Sequence, residues 1–187
     1  MSTATATITK KGGKGNTVGL VSEVSAFFHV KPGHLEQLVA ACERFHAGLL
    51  GAPETAHHRF GLRNMRHVIF DNGTRLCWIT AFETDWDPYI DDSLNGMGIQ
   101  TWFDWLQHCE ECPPGLVKMS LADIKKFLQG AQIPATGFFR AQSQKTLKQI
   151  NKGLRVQDAL ERVIDAPGGA AALQTPALKP LLEQAAD

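Results

Sequence analysis

The stretch from Arg63 to Thr84 reads RNMRHVIFDNGTRLCWITAFET and decides the fold. Two runs rich in apolar residues, 63–71 and 74–84, are joined by Asp71-Asn72-Gly73. Asn-Gly between such runs predicts a β-hairpin, because the tight turn needs residues that accept a positive φ. In the second run apolar side chains alternate to both faces, Leu76, Trp78 and Phe82 on one and Cys77, Ile79 and Ala81 on the other. This pattern predicts a central strand that is covered on both sides.

On the N-terminal side of the hairpin, the spacing of apolar residues predicts a strand followed by a helix. Even positions of Val18–Val30 are apolar with one interruption at Ser22, which is the period of a β-strand. Pro32-Gly33 then predicts a turn, and apolar residues recur every three or four positions over His34–Leu50. The polar stretch Gly51–Phe60 is interpreted as a loop that leads into the hairpin.

On the C-terminal side, helices are predicted at Asp85–Asn95, Thr101–Cys109 and Ser120–Gln129, the last capped by Ser120 with Asp123 three residues later. A last strand is predicted at Thr136–Ala141, and a helix follows over residues 143–164. The order indicates an α+β fold of the ferredoxin-like split β-α-β type, with an enlarged second crossover and an additional C-terminal helix. Helices would cover one face of such a sheet. A second copy would cover the other, so we expect a homodimer.

Composition bounds the class of protein. The 187 residues are 43% hydrophobic and 20% charged, and 19 basic side chains balance 19 acidic ones. This balance gives no reason to expect a nucleic-acid or anionic-membrane partner. No run of apolar residues is long enough to span a membrane, and the N-terminus lacks the apolar core of an export signal. With four cysteines, we expect reduced thiols and a cytoplasmic protein.

Three segments are expected along the chain. Residues 1–17 are small, polar and rich in Gly and Lys, which predicts a flexible N-terminal arm. Residues 18–165 would form the α+β domain. Residues 166–187 begin with a Gly- and Ala-rich linker and continue into a helical tail.

The segment Met65–Asp92, MRHVIFDNGTRLCWITAFETDWDPYIDD, resembles a segment of small bacterial proteins in the dimeric α+β barrel superfamily, which is ferredoxin-like. The residues that carry the resemblance are Arg66, Ile69, Phe70, Asp71, Gly73, Trp86, Tyr89 and Asp92. The resemblance implies a homodimeric barrel, and an association with haem peroxidase-like or lipid-oxidising enzymes. Haem is therefore a candidate cofactor.

Basic and imidazole side chains concentrate on and just before the first hairpin strand. Arg66 and His67 are the candidate catalytic residues, while Arg63 and His58 are candidate ligand anchors. A cation and a titratable base beside an apolar pocket would suit an enolate, a carboxylate or a haem propionate. Alternation along the strand puts Arg63 and His67 on one face and Arg66 on the other. The alternative interpretation is an edge strand whose charges are solvated.

Aromatic residues in the middle of the chain could line a pocket for an apolar or planar small molecule. The candidates are Trp78, Trp86 and Tyr89. At helical spacing, such residues also occur simply as core. Cys109 and Cys112, next to His108, form one C-x-x-C motif without a second ligand pair, so no metal site is assigned.

Beside a metal site through His108, Cys109 and Cys112, which is the third alternative, two functions remain open from the sequence. The first is an oxidoreductase-type or haem- or apolar-ligand-binding protein with a barrel pocket and Arg/His anchors. The alternative is a non-catalytic homodimeric accessory or binding module that partners another enzyme. The absence of any P-loop, dinucleotide-binding or nucleophile-elbow motif excludes neither.

Overall fold

The computed structural model describes residues 12–185. The chain divides into two compact units, Met1–Gln144 and Lys145–Asp187. Most of the arm expected from the sequence, residues 1–11, lies outside the described residues. Asn16 and Thr17, which were expected to belong to that arm, are part of the first strand.

The first unit is built on a four-stranded antiparallel sheet. Its strands are β1 Asn16–Val18, β2 Val21–His29, β3 Leu62–Phe70 and β4 Arg75–Phe82, in the order β1-β2-β4-β3. β4 therefore lies between β2 and the strand that precedes it in the chain, which is the split β-α-β arrangement. The predicted α+β class and the central position of β4 are both confirmed.

The predicted hairpin is confirmed at its turn. Asp71, Asn72 and Gly73 have φ values of 49°, 54° and 84°, and Phe70 pairs with Arg75. Asn and Gly tolerate this left-handed region better than other residues do. The turn thereby fixes the register of β3 on β4 and, with it, the face of the sheet to which each side chain points.

Helices of the first unit are α1 Leu35–Gly51, α2 Glu54–Phe60, α3 Trp86–Met97, α4 Ile99–Leu106 and α5 Leu121–Ala131, with a short 3-10 helix at Leu116–Lys118. The predicted cap of α5 is confirmed, because the Ser120 hydroxyl accepts from the Asp123 backbone N–H. The loop expected over residues 51–60 is wrong for most of its length. Pro53 precedes α2 and left-handed Gly61 ends it, which are ordinary helix boundaries.

Helices cover one face of the sheet, called here the closed face, and build the core there. Strand residues on this face include Val24, Ala26, Phe28, Leu76, Trp78 and Phe82, all at most 1% exposed. They pack against buried side chains of α1, α3, α4 and α5 in one continuous cluster. Fully burying an aromatic or branched side chain stabilises a fold by roughly 1.5–3 kcal/mol, so this face carries most of the folding free energy.

Three short segments pair with the outer edge of β2, in place of one long strand. β1 pairs with residues 21–23, Gln132 bridges to Ala26, and Cys109 bridges to Val30. The strand predicted at Thr136–Ala141 is wrong: that segment is irregular. The pairing of this segment with β2 ends at Ile133, whose N–H donates to the Ser25 carbonyl. The next residue, Pro134, has no N–H with which to continue the ladder.

The second unit contains α6 Leu147–Asp165, α7 Gly169–Leu173 and α8 Lys179–Ala185. A capping box starts α6, in which Thr146 and Gln149 exchange side-chain to backbone hydrogen bonds. Across residues 12–185, no helix has both the length and the apolar character that crossing a membrane requires.

Gly15 provides a test of how tightly the N-terminal strand is packed. Its φ is 79°, and an added Cβ would lie 1.7 Å from the Glu23 carbonyl oxygen. Gly33 has a similar φ of 77° with nothing within 4 Å, so it is the matched control. Gly33→Ala should lower the free energy of unfolding by about 1 kcal/mol and Gly15→Ala by roughly 3 kcal/mol. Urea unfolding measures both, and equal losses would contradict the close packing of β1 on β2.

Candidate functional site

The second face of the sheet, called here the open face, is apolar but only partly buried. It carries Ser25 and Phe27 of β2, Arg66, Val68 and Phe70 of β3, and Cys77, Ile79 and Ala81 of β4. Val68 is 41% exposed, and Phe27, Phe70 and Ile79 are half-buried. None of these residues belongs to the core cluster on the closed face. The open face is therefore a platform that other atoms can cover.

Glu23 is a buried carboxyl at one end of the open face, and only 5% of its surface is exposed. Its carboxylate accepts hydrogen bonds from the Asn16 amide (3.3 Å) and the Ser25 hydroxyl (3.2 Å). Burial raises the pKa of Glu23 above its usual value, although these hydrogen bonds act in the opposite direction. A carboxyl with a raised pKa holds and releases protons closer to neutral pH than an exposed one does.

Sequence reasoning missed Glu23. The apolar pattern of β2 lies on the even positions, so Glu23, at an odd position, was not among the candidate residues. Burial comes from β1 and from the segment after Gln132, whose Ala135 carbonyl accepts from the same Asn16 amide (2.9 Å). Both segments are distant from β2 in the sequence or too short to be recognised as strands. No local pattern could have indicated this burial.

Cys77 lies at the centre of the open face among charged groups. Burial raises the pKa of its thiol to about 11, while the Arg66 and Arg75 guanidinium groups act to lower it. The thiol is therefore protonated at neutral pH and is a poor nucleophile. Arg75 stacks on the Phe70 ring at 4.9 Å from its centroid and pairs with Asp71. Arg66 is exposed on the edge strand β3.

Arg66 and Glu23 stand on the same face with β4 between them. Two strand spacings and two residues separate them, which places their Cα atoms roughly 12 Å apart. The floor between them is formed by Ile79, which pairs with Arg66, and Ala81, which pairs with Glu23. The arrangement offers a cation at one end, a buried carboxyl at the other and an apolar surface in between.

His67 points to the closed face, opposite to Arg66, so the structure does not bring the two candidate catalytic residues together. Its Nδ1 lies 3.0 Å from His46 Nε2 of α1, and its ring centroid is 4.7 Å from that of Trp105. Burial, aided by His46, lowers the pKa of His67 to about 3. His67 is therefore neutral at physiological pH and enclosed in aromatic core.

Arg63 lies at a β-bulge, where the register of β3 on β4 shifts between Leu62 and Asn64. Its Nε is 2.5 Å from a carboxylate oxygen of Glu83, and the two side chains are 2% and 8% exposed. This buried ion pair gives Arg63 a resident counter-ion. A ligand carboxylate would have to compete with Glu83 for the same guanidinium.

The remaining predicted ligand residues lie away from the open face. His58 is on α2, 3.2 Å from Glu54. Trp78 is in the core of the closed face. Tyr89 stacks on Phe82 at 3.9 Å and shares a 2.8 Å hydrogen bond with Thr80, and burial raises the pKa of its hydroxyl.

Trp86, the last of the predicted ligand residues, begins α3 and is 3% exposed. Its indole N–H donates to the side-chain carbonyl of Gln132 (2.8 Å). The Lys14 ammonium lies 5.8 Å from its ring centroid and also pairs with Asp87. Trp86 thus anchors the N-terminal segment to α3.

The C-x-x-C segment supports no metal centre among residues 12–185, since no three His, Cys, Asp or Glu side chains there lie close enough to share an ion. His108 Nδ1 instead faces His34 Nδ1 at 3.0 Å. Burial raises the pKa of the Cys109 thiol, which lies near the Trp105 carbonyl (3.9 Å). These groups join the end of α4 to the start of α1.

Comparison with known proteins adds little to this geometry. No protein-family model matches the chain. No curated protein sequence matches it either. A solved structure that it resembles is described as an antibiotic biosynthesis monooxygenase from Bordetella bronchiseptica, 18% identical, with 51% of this chain and 86% of that chain covered and a TM-score of 0.35.

The burial of His67 predicts a specific loss of stability in acid. Because its folded pKa of about 3 lies below the ordinary value of 6.5, its contribution is complete above pH 6.5 and is lost as the pH falls toward 3. Between pH 7 and pH 5 the wild-type protein should lose about 2 kcal/mol more free energy of unfolding than His67→Gln does. Urea titrations at both pH values measure this difference, and parallel losses would show that His67 is not buried as a neutral imidazole.

Proposed function

We propose that the chain binds a small apolar molecule with an acidic group on the open face of its sheet, and that the same face of a second copy closes the site. The observation that carries the proposal is the combination on one face of a half-buried apolar floor, an exposed Arg66 and a buried Glu23.

The second copy follows from the chemistry of the open face. Phe27, Val68 and Ile79 present apolar surface that gains free energy when water is removed. An identical face is a matching partner, because a two-fold interface brings the same patch together from both subunits. The two floors would then enclose an apolar space with an Arg66 and a Glu23 from each copy.

Arg66 selects the charge of the ligand. A guanidinium forms paired hydrogen bonds to a carboxylate, sulfonate or phosphate, and these bonds strengthen when the site is closed from water. The floor selects an apolar body, planar or extended, about as long as the distance from Arg66 to Glu23. A fatty or aromatic acid has this shape and charge.

Glu23 supports the first step of an oxidoreductase-type reaction. A buried carboxylate with a raised pKa can take a proton from the end of a bound molecule that lies away from Arg66. An external oxidant, such as molecular oxygen, would then take the electrons of the resulting enolate or phenolate. The non-catalytic alternative, a homodimeric accessory or binding module, uses the same face without this proton transfer. Arg66 and the apolar floor serve both functions.

Haem does not fit the open face. An axial ligand would have to come from a nitrogen or sulfur donor on that face. Cys77 is held as a protonated thiol by its burial, and His29, at the end of β2, pairs with Glu111 at 2.7 Å. His67 is on the other side of the sheet. We therefore propose a ligand without iron.

Anilinonaphthalene sulfonate, an apolar fluorescent anion, tests the ligand site directly. We expect saturable binding to the native protein, and Arg66→Gln should weaken it about tenfold, or about 1.4 kcal/mol, through loss of the charged hydrogen bonds. Arg59→Gln is the matched control, since Arg59 is exposed on α2. Equal affinity in Arg66→Gln and wild type would contradict the role of Arg66.

The closing of the site by a second copy is tested at Val68. Val68→Glu places a charge where the two faces would meet, and burying an unpaired carboxylate costs several kcal/mol. The dissociation constant of the dimer should rise at least about 100-fold, or about 3 kcal/mol. Leu50→Glu, at an 87% exposed position near the end of α1, is the control and should leave the dimer intact.

Sedimentation velocity over a range of concentrations measures this constant. A wild-type protein that stays monomeric at the highest concentrations, or a Val68→Glu variant that dimerises like wild type, would contradict a two-fold interface at the open face. Binding of the anionic probe to such a monomer would still leave Arg66 as its anchor. The two parts of the proposal can therefore fail separately.

A further inference from the structure

A chain of ring contacts crosses the closed face from the central strand to α1. Trp78 of β4 lies 5.1 Å from Trp102 of α4, measured between ring centroids, and Trp102 lies 6.2 Å from Trp105. Trp105 is 4.7 Å from His67, which is hydrogen-bonded to His46. The tryptophans are fully buried, whereas His46 is only half-buried. The chain of rings therefore joins the interior to the surface.

Four nitrogen atoms in this chain of rings lack hydrogen-bond partners. The indole nitrogens of Trp78, Trp102 and Trp105 and Nε2 of His67 are all buried without a hydrogen bond. Burying such a group unpaired costs roughly 1–3 kcal/mol, and several together at one place require a physical reason. Trp86 provides the contrast, because its indole N–H is bonded to Gln132.

We propose that these five rings form a one-electron relay whose proton acceptor is the histidine pair. Trp105 would give one electron to a one-electron oxidant, such as an organic radical or an oxidised metal complex. Its N–H bond breaks at the same time and the proton passes to His67 Nε2. The product is a neutral tryptophan radical, and the oxidant is reduced by one electron.

The hydrogen bond between the histidines carries the proton onward. In the tautomer that the relay requires, His67 Nδ1–H donates to His46 Nε2, and His67 Nε2 is the bare acceptor. When Nε2 receives the indole proton, the proton on Nδ1 moves to His46, which becomes an imidazolium. His67 thus ends neutral, as its buried position demands. His46, at the surface, passes the extra proton to water.

The unpaired indole nitrogens favour this chemistry. An indole N–H that is already hydrogen-bonded to a fixed acceptor is not available to pass its proton to another nearby base. Nε1 of Trp105 and Nε2 of His67 have no hydrogen-bond partner, and the two rings are in contact at an angle of 67°. Their ring centroids are 4.7 Å apart, so His67 is the base in contact with the Trp105 ring. Trp102 and Trp78 extend the relay, since they lie within 6.4 Å of Trp105.

The relay is independent of the function proposed for the open face. It uses residues of the closed face alone, so loss of ligand binding in Arg66→Gln leaves it unaffected. β4 nevertheless contributes to both faces, since Cys77 of the open face and Trp78 of the relay are adjacent in the sequence. Among the described strands, β4 carries the tryptophan, Trp78, that lies directly across the sheet from the open face.

Photo-oxidation of the full chain tests the relay. A ruthenium tris-bipyridine complex, oxidised to Ru(III) by a laser flash and a quencher, accepts one electron, and the tryptophan radical is followed by transient absorption and electron paramagnetic resonance. We expect a neutral radical in wild type. Its yield should fall several-fold in Trp105→Phe and stay unchanged in Trp86→Phe, although Trp86 is the more exposed of the two at 3% against 0%.

His67→Gln separates the proton step from the electron step. The radical should still form, but as a protonated cation radical that loses its proton slowly, and the solvent deuterium isotope effect on radical formation should disappear. A radical that forms and deprotonates in His67→Gln as in wild type would overturn the proton route.

A further test uses the wild-type chain alone, so it does not depend on whether a variant folds. The oxidation products of each tryptophan are mapped by mass spectrometry. Products concentrated on Trp105 and its neighbours Trp78 and Trp102 would support the relay. Products on Trp86 at the same or higher level would overturn it, because an ordinary buried tryptophan would then react as well as the cluster does.

Discussion

The alternation of side chains along β4 is the constraint on which both sides of this molecule depend. β4 is the central strand of the sheet, and it sends Trp78 to the helices and Cys77 to the open face. Its register on β3 is fixed by a turn whose three residues have positive φ. A shift by one residue would exchange the two faces, placing the apolar core in water and the half-buried floor under the helices.

Much of the fold follows from local patterns in the sequence, while the site depends on distant contacts. The hairpin, the central strand and the Ser120 cap are each specified by neighbouring residues, and each is predicted correctly. The sequence also separates Arg66 from His67 by strand alternation. It cannot say which of them faces the helices, because that depends on which side α1 and α4 pack. Glu23 was missed and the 136–141 segment was predicted wrongly for the same reason: β1 and Pro134 act on them from outside the local pattern.

Buried polar groups are placed differently on the two faces. Arg63 and Glu83 neutralise each other at the bulge, so their desolvation is offset locally. The buried carboxyl of Glu23 is stabilised by hydrogen bonds from Asn16 and Ser25. His67 has one partner only, another imidazole, and avoids the cost of burial by staying neutral. The first two groups are thus stabilised by charged or polar partners, and the third by loss of its charge.

The separation of Arg66 from His67 changes what chemistry the protein can perform. A cation and an imidazole on one face would form an acid–base pair around a single substrate. With the sheet between them, Arg66 shares the open face with Glu23 and not with His67. His67 can act only on the aromatic rings that touch it, of which Trp105 is the nearest at 4.7 Å. The same alternation places neighbouring residues of β4 on opposite faces, with Cys77 on the open face and Trp78 in the tryptophan cluster. The two faces are therefore one residue apart along β4.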